Sequence, residues 1–372
     1  MLVSEHIQPY ELAVVFGAGA SMPALPSQRQ LIPDLWKALT PPYPLELPIH
    51  RLLPAGAYLR RTFPGLPARP VSFEDVAGPL EISEAEEYWF HFAGPDRRTK
   101  RLITNQSVLD ALDTWLVLAL NPPTVPRRPS EDGFAEHFAA GAASRVHYAR
   151  LLHLLAQSGQ LEQTVFLSLN YDVLLDRSLL AATKYEIDYV AEAFVDKPAL
   201  RPRLRVMKLH GSLNWRCCDS CHVLVDLGYE VVWPLSRCGE CGERRARPLL
   251  IRPTVVKDFR HRVWQDVWRA AGRALAGARR WLIVGYSLPL ADVWMLRLLA
   301  QSMRSGGQGR RRVSIVEPDP PRWWSGSASC SRTPTTRLRR SMTTWPPVMQ
   351  PASSSEQKEW GASPLRASPP TR

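Results

Sequence analysis

Two cysteine pairs constrain this chain more than any other feature. Cys218-x2-Cys221 and Cys238-x2-Cys241 are separated by the sixteen residues His222 to Arg237. That spacing suits a tetrahedral zinc site built from two tight turns, which must meet for the ion to be held. Cys217 is an alternative ligand to Cys218, and Cys218 is preferred because it completes the two-residue knuckle. Four thiolates leave no open coordination position, so the Zn²⁺ is expected to be structural. The N-terminal sequence lacks a basic region followed by an apolar stretch and a cleavage site, so cytoplasmic residence is expected and disulfides are not.

The rest of the chain alternates apolar runs with helical periodicity. Leu12 to Phe16 is a short continuous apolar run, as in a strand buried on both faces, and Gly17-Ala18-Gly19-Ala20-Ser21 breaks it. A helix is predicted over Leu31 to Leu39, ending before Pro41-Pro42. Further strands are predicted at Thr164–Leu169, Arg205–Leu209, Trp281–Val284 and Val313–Val316, with helices over Val263–Ala278 and Asp292–Met303. Strands alternating with helices predict an α/β fold with a Rossmann-like parallel sheet. Residues 1–40 and 160–320 are expected to form that sheet domain, with the zinc module at 217–247 inside it. Residues 41–159, punctuated by prolines but periodic over Val108–Leu120 and Ser144–Leu155, read as a mostly helical insertion.

The net charge of +12 invites a nucleic-acid reading. Half of it sits after Pro320, where eight cations face Glu356 and Glu359, and 40 of the 47 basic residues are Arg. A nucleic-acid partner is therefore not expected. No stretch approaches the roughly 18 uncharged apolar residues that span a bilayer, so no membrane partner is expected. Residues 321–372 turn abruptly to Ser, Pro and Arg without periodicity, and are expected to be a disordered or frameshifted tail.

Each remaining motif falls at a strand end, where ligands of such sheets bind. The glycines of Gly17–Ser21 allow close approach of a phosphate to a helix start, although Met22 breaks the full dinucleotide pattern. Asn170 and Asp172 follow a strand and can orient a ribose and a water, or else form a turn or cap. His210, followed by Gly211, is placed to act as a general base, or else is structural. Gly285 and Ser287 form a second small-residue turn, and Glu317 ends the last strand.

In this order, GAGxS, the Asn/Asp loop, Leu209-His210-Gly211-Ser212, the paired CxxC, the Gly-x-Ser turn and an acidic strand end, the chain is similar to the sirtuin family. Ile251-Arg252-Pro253-Thr254 resembles the family segment that follows the zinc module. The resemblance implies NAD⁺ bound by Gly17, Ala18, Gly19 and Ser21, with Gly285 and Ser287 on phosphate or ribose and Glu317 on the adenosine ribose. It implies Asn170 and Asp172 at the nicotinamide ribose and His210 as base on a ribose hydroxyl.

Three departures follow. Leu169 replaces the usual Gln, Lys257-Asp258-Phe259 replaces the peptide-binding Phe-Gly-Glu, and no Phe-Arg follows Pro26. The pattern resembles divergent bacterial sirtuin-like proteins that hydrolyse NAD⁺ in antiphage defence. The expected function is NAD⁺ glycohydrolysis, with protein deacylation and non-catalytic NAD⁺ or ADP-ribose sensing as alternatives. A second copy of the chain or a defence-system protein is the expected partner.

Overall fold

Apolar runs too short to be helices pair side by side in the computed structural model and form a parallel sheet. The structure describes residues 10–316, apart from 23, 45–46, 86–93, 96–101, 122–146, 183–184, 191–193, 195–201, 229, 255–256, 258, 260, 290–291 and 306–310. Glu317 and the tail over 321–372 lie outside the described residues.

The strands are β1 (Leu12–Phe16), β2 (Gly94–Pro95), β3 (Leu102–Ile103), β4 (Thr164–Ser168), β5 (Glu186–Asp188), β6 (Arg203–Lys208), β7 (Gly211–Cys218), β8 (Leu224–Asp226), β9 (Ala246–Leu250), β10 (Arg280–Val284) and β11 (Arg312–Val316). Six of them form one sheet in the order β11-β10-β1-β4-β6-β5, with every pairing parallel. Every residue of β1 and β4 is buried, so both faces of the sheet centre are covered. The margin is different. On β5 and β6, Glu186 lies opposite Arg203 and Asp188 opposite Arg205, and both pairs are ion-paired. Opposite charges facing across a strand pair suit a half-solvated edge.

The helices are α1 (Leu31–Ala38), α2 (Ile49–Thr62), α3 (Phe73–Ala85), α4 (Asn105–Ala119), α5 (His147–Gln157), α6 (Leu174–Ala182), α7 (Arg262–Gly277) and α8 (Val293–Ser305). On α7, Val263, Trp264, Val267, Ala270, Ala271, Ala274 and Leu275 are buried, a stripe at helical spacing whose alanines admit α8 and β6 closely. Burying each large side chain of such a stripe contributes about 1.5–3 kcal/mol. Helix α5 joins this main core through Tyr148, Leu152 and Leu155. Helices α1 to α4 share a second core that includes Ile32, Leu35, Leu59, Phe73 and Leu112. This second core joins α1, expected with the sheet domain, to α2, α3 and α4 of residues 41–159. Among the described residues, no helix is long and apolar enough to cross a membrane.

A smaller antiparallel sheet, β8-β7-β9, starts two residues after β6. Gly211 opens it with φ +85°, and a Cβ there would lie 2.2 Å from the Leu249 carbonyl oxygen. Only glycine fits where β7 crosses β9.

Candidate active site

The strand order reverses at β1: the chain continues to β4 on one side and returns to β10 on the other. Turns at such a switch point diverge and leave a crevice at the carboxyl ends of the strands. Here the turns after β1 and β10 are tied together by backbone bonds. Gly17 N donates to Val284 O at 3.0 Å, Gly19 N to Gly285 O at 2.8 Å and Gly285 N to Val316 O at 2.8 Å. A Cβ on Gly17 would lie 2.5 Å from Tyr286 Cβ, and one on Gly285, whose φ is +62°, 2.1 Å from Ala20 N. These glycines are thus already required by the contact of one turn with the other. Ala18 and Ser287 are exposed at the same end.

The loop after β4 is stitched to the β1 turn by buried side chains. Asn170 Nδ2 donates to Gly17 O at 2.9 Å and lies 3.0 Å from the Tyr148 hydroxyl and 3.1 Å from Ser21 Oγ. Ser21 Oγ donates to Asp172 Oδ2 at 2.8 Å, and Leu174 N donates to Asp172 Oδ1 at 3.0 Å. Asp172 therefore caps the start of α6, the bland alternative for this motif, while also holding Ser21. Burial raises its pKa, against the Lys208 charge, which lowers it.

His210 occupies the two-residue link between β6 and β7. Its Nδ1 lies 3.2 Å from the Leu169 carbonyl oxygen. A carbonyl only accepts, so Nδ1 carries the hydrogen and Nε2 keeps the lone pair. The His210 ring centroid is 6.3 Å from that of Tyr171 and 6.3 Å from that of Trp268. Burial, helped by the Lys257 cation and opposed by Asp292, pushes the imidazole pKa down to about 4. At neutral pH the group is an uncharged base, pinned to the residue that precedes Asn170.

Residues 164–333 match the family model of the SIR2-like domain. The chain carries a SIR2-like domain. No curated protein matches it. Among solved structures it is similar to a Sir2 homologue in complex with NAD, at 17% identity and a TM-score of 0.40 over 84% of this chain and 79% of that one. It is also similar to a Sir2 protein in complex with an inhibitor, 2′-O-acetyl-ADP-ribose and a deacetylated peptide, at 16% identity and 0.35 over 84% and 83%. Superpositions this loose transfer no residue roles.

The matched SIR2-like segment begins at β4, so Ser21 and Tyr148 reach its strand ends from outside it. Beneath those ends lies an ion pair that motif reading passes over. Lys208 Nζ is 3.1 Å from Asp176 Oδ2, both side chains being wholly buried, and it donates to the Asp172 carbonyl at 2.5 Å. Tyr189 donates to Asp176 Oδ1 at 2.5 Å, and Asn214 Nδ2 lies 2.9 Å from the Tyr189 hydroxyl. Such a pair in a dry interior fixes geometry more than it adds stability. Only its apolar surroundings, invisible in the KLHG string, mark Lys208 as buried.

The SIR2-like domain also contains the four-cysteine cluster. The Sγ atoms of Cys218, Cys221, Cys238 and Cys241 all lie within 4.8 Å of one another, with Cys218–Cys241 at 3.6 Å and Cys221–Cys238 at 3.7 Å. Tetrahedral zinc with bonds of about 2.3 Å spaces its sulfurs by about 3.8 Å, so this donor set fits the ion. Cys217 stands apart, 3.9 Å from His261 Nε2, and burial pushes its thiol up to about 11. The geometry selects Cys218.

Of the residues expected from the sequence, Gly17, Ala18, Gly19, Ser21, Asn170, Asp172, His210, Gly285 and Ser287 all fall at the carboxyl ends of β1, β4, β6 and β10. Glu317 lies outside the described residues.

Proposed function

We propose that this chain is an NAD⁺-consuming enzyme of the SIR2 type whose reaction is NAD⁺ glycohydrolysis. In that reaction water adds to C1′ of the nicotinamide ribose, the bond to nicotinamide breaks, and ADP-ribose and a proton are released. The observation that carries the reading is the neutral His210, whose Nε2 keeps its lone pair one loop away from Asn170. His210 accepts the proton of a ribose hydroxyl, and the Asn170 carboxamide oxygen orients the ribose or the water. Asp172 positions Ser21 and the β4 loop, both of its oxygens being taken. The exposed turn at Ala18 and Ser287 takes the phosphates and the adenosine side of the substrate. Cys218, Cys221, Cys238 and Cys241 hold a structural Zn²⁺, which supplies folding energy and no chemistry.

Deacylation would use the same elements, but Lys257 and Phe259 stand where the family keeps a peptide-binding segment, and Phe259 is packed edge-on against Trp268 and Trp294.

The test is nicotinamide release from NAD⁺ with no acyl peptide, comparing wild type with Asn170→Ala and His210→Ala. Release that drops by about 100-fold or more in both variants supports hydrolysis. Bound NAD⁺ without release, followed by acyl-peptide turnover, replaces hydrolysis with deacylation. Binding without either turnover leaves the sensor.

A further inference from the structure

Tyr148 is a wholly buried phenol contributed by α5, ahead of the matched SIR2-like segment, and the mechanism above does not use it. Its ring is held edge-on against Phe16 at 4.8 Å between centroids, so its hydroxyl has little freedom to wander.

The direction of each hydrogen bond at this hydroxyl follows from its neighbours. Gly17 O can only accept, so the Asn170 atom 2.9 Å from it is Nδ2. Asp172 Oδ2 as a carboxylate can only accept, so Ser21 spends its proton there. The contact of 2.9 Å between Ser21 Oγ and the Tyr148 hydroxyl must then use the tyrosine proton. The tyrosine oxygen in turn accepts from Asn170 Nδ2 at 3.0 Å. One directed chain results, from Asn170 to Tyr148, to Ser21, to Asp172, with Asn170 Nδ2 also donating directly to Ser21 Oγ at 3.1 Å. Bonds arranged head to tail in a dry interior reinforce one another. Asn170 Oδ1 makes no hydrogen bond among the described residues, so the chain holds Nδ2 inward and turns Oδ1 outward.

We propose that Tyr148 is a positioning residue for the Asn170 carboxamide, fixing which of its two ends meets the substrate. A flipped amide would set Nδ2 against the reacting ribose and Oδ1 against the Gly17 carbonyl, two acceptors face to face. The role rests on Asn170 being the site amide of the reaction proposed above.

Tyr148→Phe removes one oxygen and keeps the ring and its contact with Phe16. The expected result is a kcat for nicotinamide release lowered about 10- to 100-fold, with the KM for NAD⁺ changed less than about threefold. The Asn170 side-chain amide protons, followed by ¹⁵N-edited NMR, should exchange at least about tenfold faster than in wild type. Ser21→Ala cuts the next link and should give the same pair of changes, which guards against a folding defect peculiar to Tyr148→Phe. A lowered melting temperature with unchanged kcat would make Tyr148 a core residue only and overturn the proposal. Unchanged amide exchange overturns it as well, and that arm needs no turnover. A wild-type protein that releases no nicotinamide sinks the hydrolase reading instead, and the exchange arm then decides the orientation of Asn170 by itself.

Discussion

The strand-end network and the cysteine knuckles are both clusters of polar groups, but they are held in opposite ways. At the strand ends, Ser21, Asn170, Asp172, Asp176 and Lys208 are all buried, and each is bonded to partners from a different part of the chain. At the knuckles, the core consists of Cys218, Cys238 and Ala246, with Cys221 packed alongside and Cys241 exposed. The first site is assembled by folding itself, because burying those groups unpaired would cost more than the fold can spare. The second has little apolar packing around its four thiols, whose spacing fits an ion that would order them.

The largest effect expected from this contrast is on zinc. Cys218→Ser, or exhaustive chelation, should remove about one zinc per chain and destabilise the small sheet by more than about 5 kcal/mol, well within what structural zinc supplies. Amide exchange in β7 and β9 should accelerate while β1 and β4 stay protected, and Cys217→Ser should keep its zinc. Unchanged protection of β7 in the metal-free protein would break the comparison.

The next effect belongs to the strand ends. Lys208→Met leaves Asp176 buried without its cation and the Asp172 carbonyl without its donor, at a cost of about 3–5 kcal/mol in urea unfolding. Adding Asp176→Asn should recover part of it. A single variant within about 1 kcal/mol of wild type would show that this network is not what organises the site.

The smallest effect concerns His210. Its folded pKa of about 4 lies below the usual 6.5, so the unfolded chain binds the proton more readily. Stability should therefore fall as pH drops through that window, by about 3 kcal/mol in all, and be fully present above it. His210→Gln should lose this slope when urea midpoints are compared at pH 7.5 and pH 4.5. Equal slopes would mean that the ring is hydrated.

Legibility varied with the range of the information. β1, β4 and β10 were readable because strands at the sheet centre show as short, largely apolar runs, β1 and β4 being buried throughout and β10 at Trp281, Ile283 and Val284. Helices α2 and α3 were not, since Pro54 and Pro79 sit inside them and break the local pattern that packing against α4 restores. β7 was hidden because its residues drew notice for chemistry, as the His-Gly and cysteine motifs, and not for strand alternation. The glycines of the β1 turn were read as room for phosphate, whereas Gly17 and Gly285 are also demanded by each other's turn.

The sequence by itself determined the parallel α/β class, the four-cysteine set and the strand ends where the proposed site residues collect, because each is written in spacing or in short apolar runs. Tertiary structure alone decided that Asp172 caps α6, that Lys208 is buried against Asp176, and that Tyr148 joins Asn170. These facts depend on which side chains meet across distant segments and on how dry the meeting place is. No local spacing encodes either.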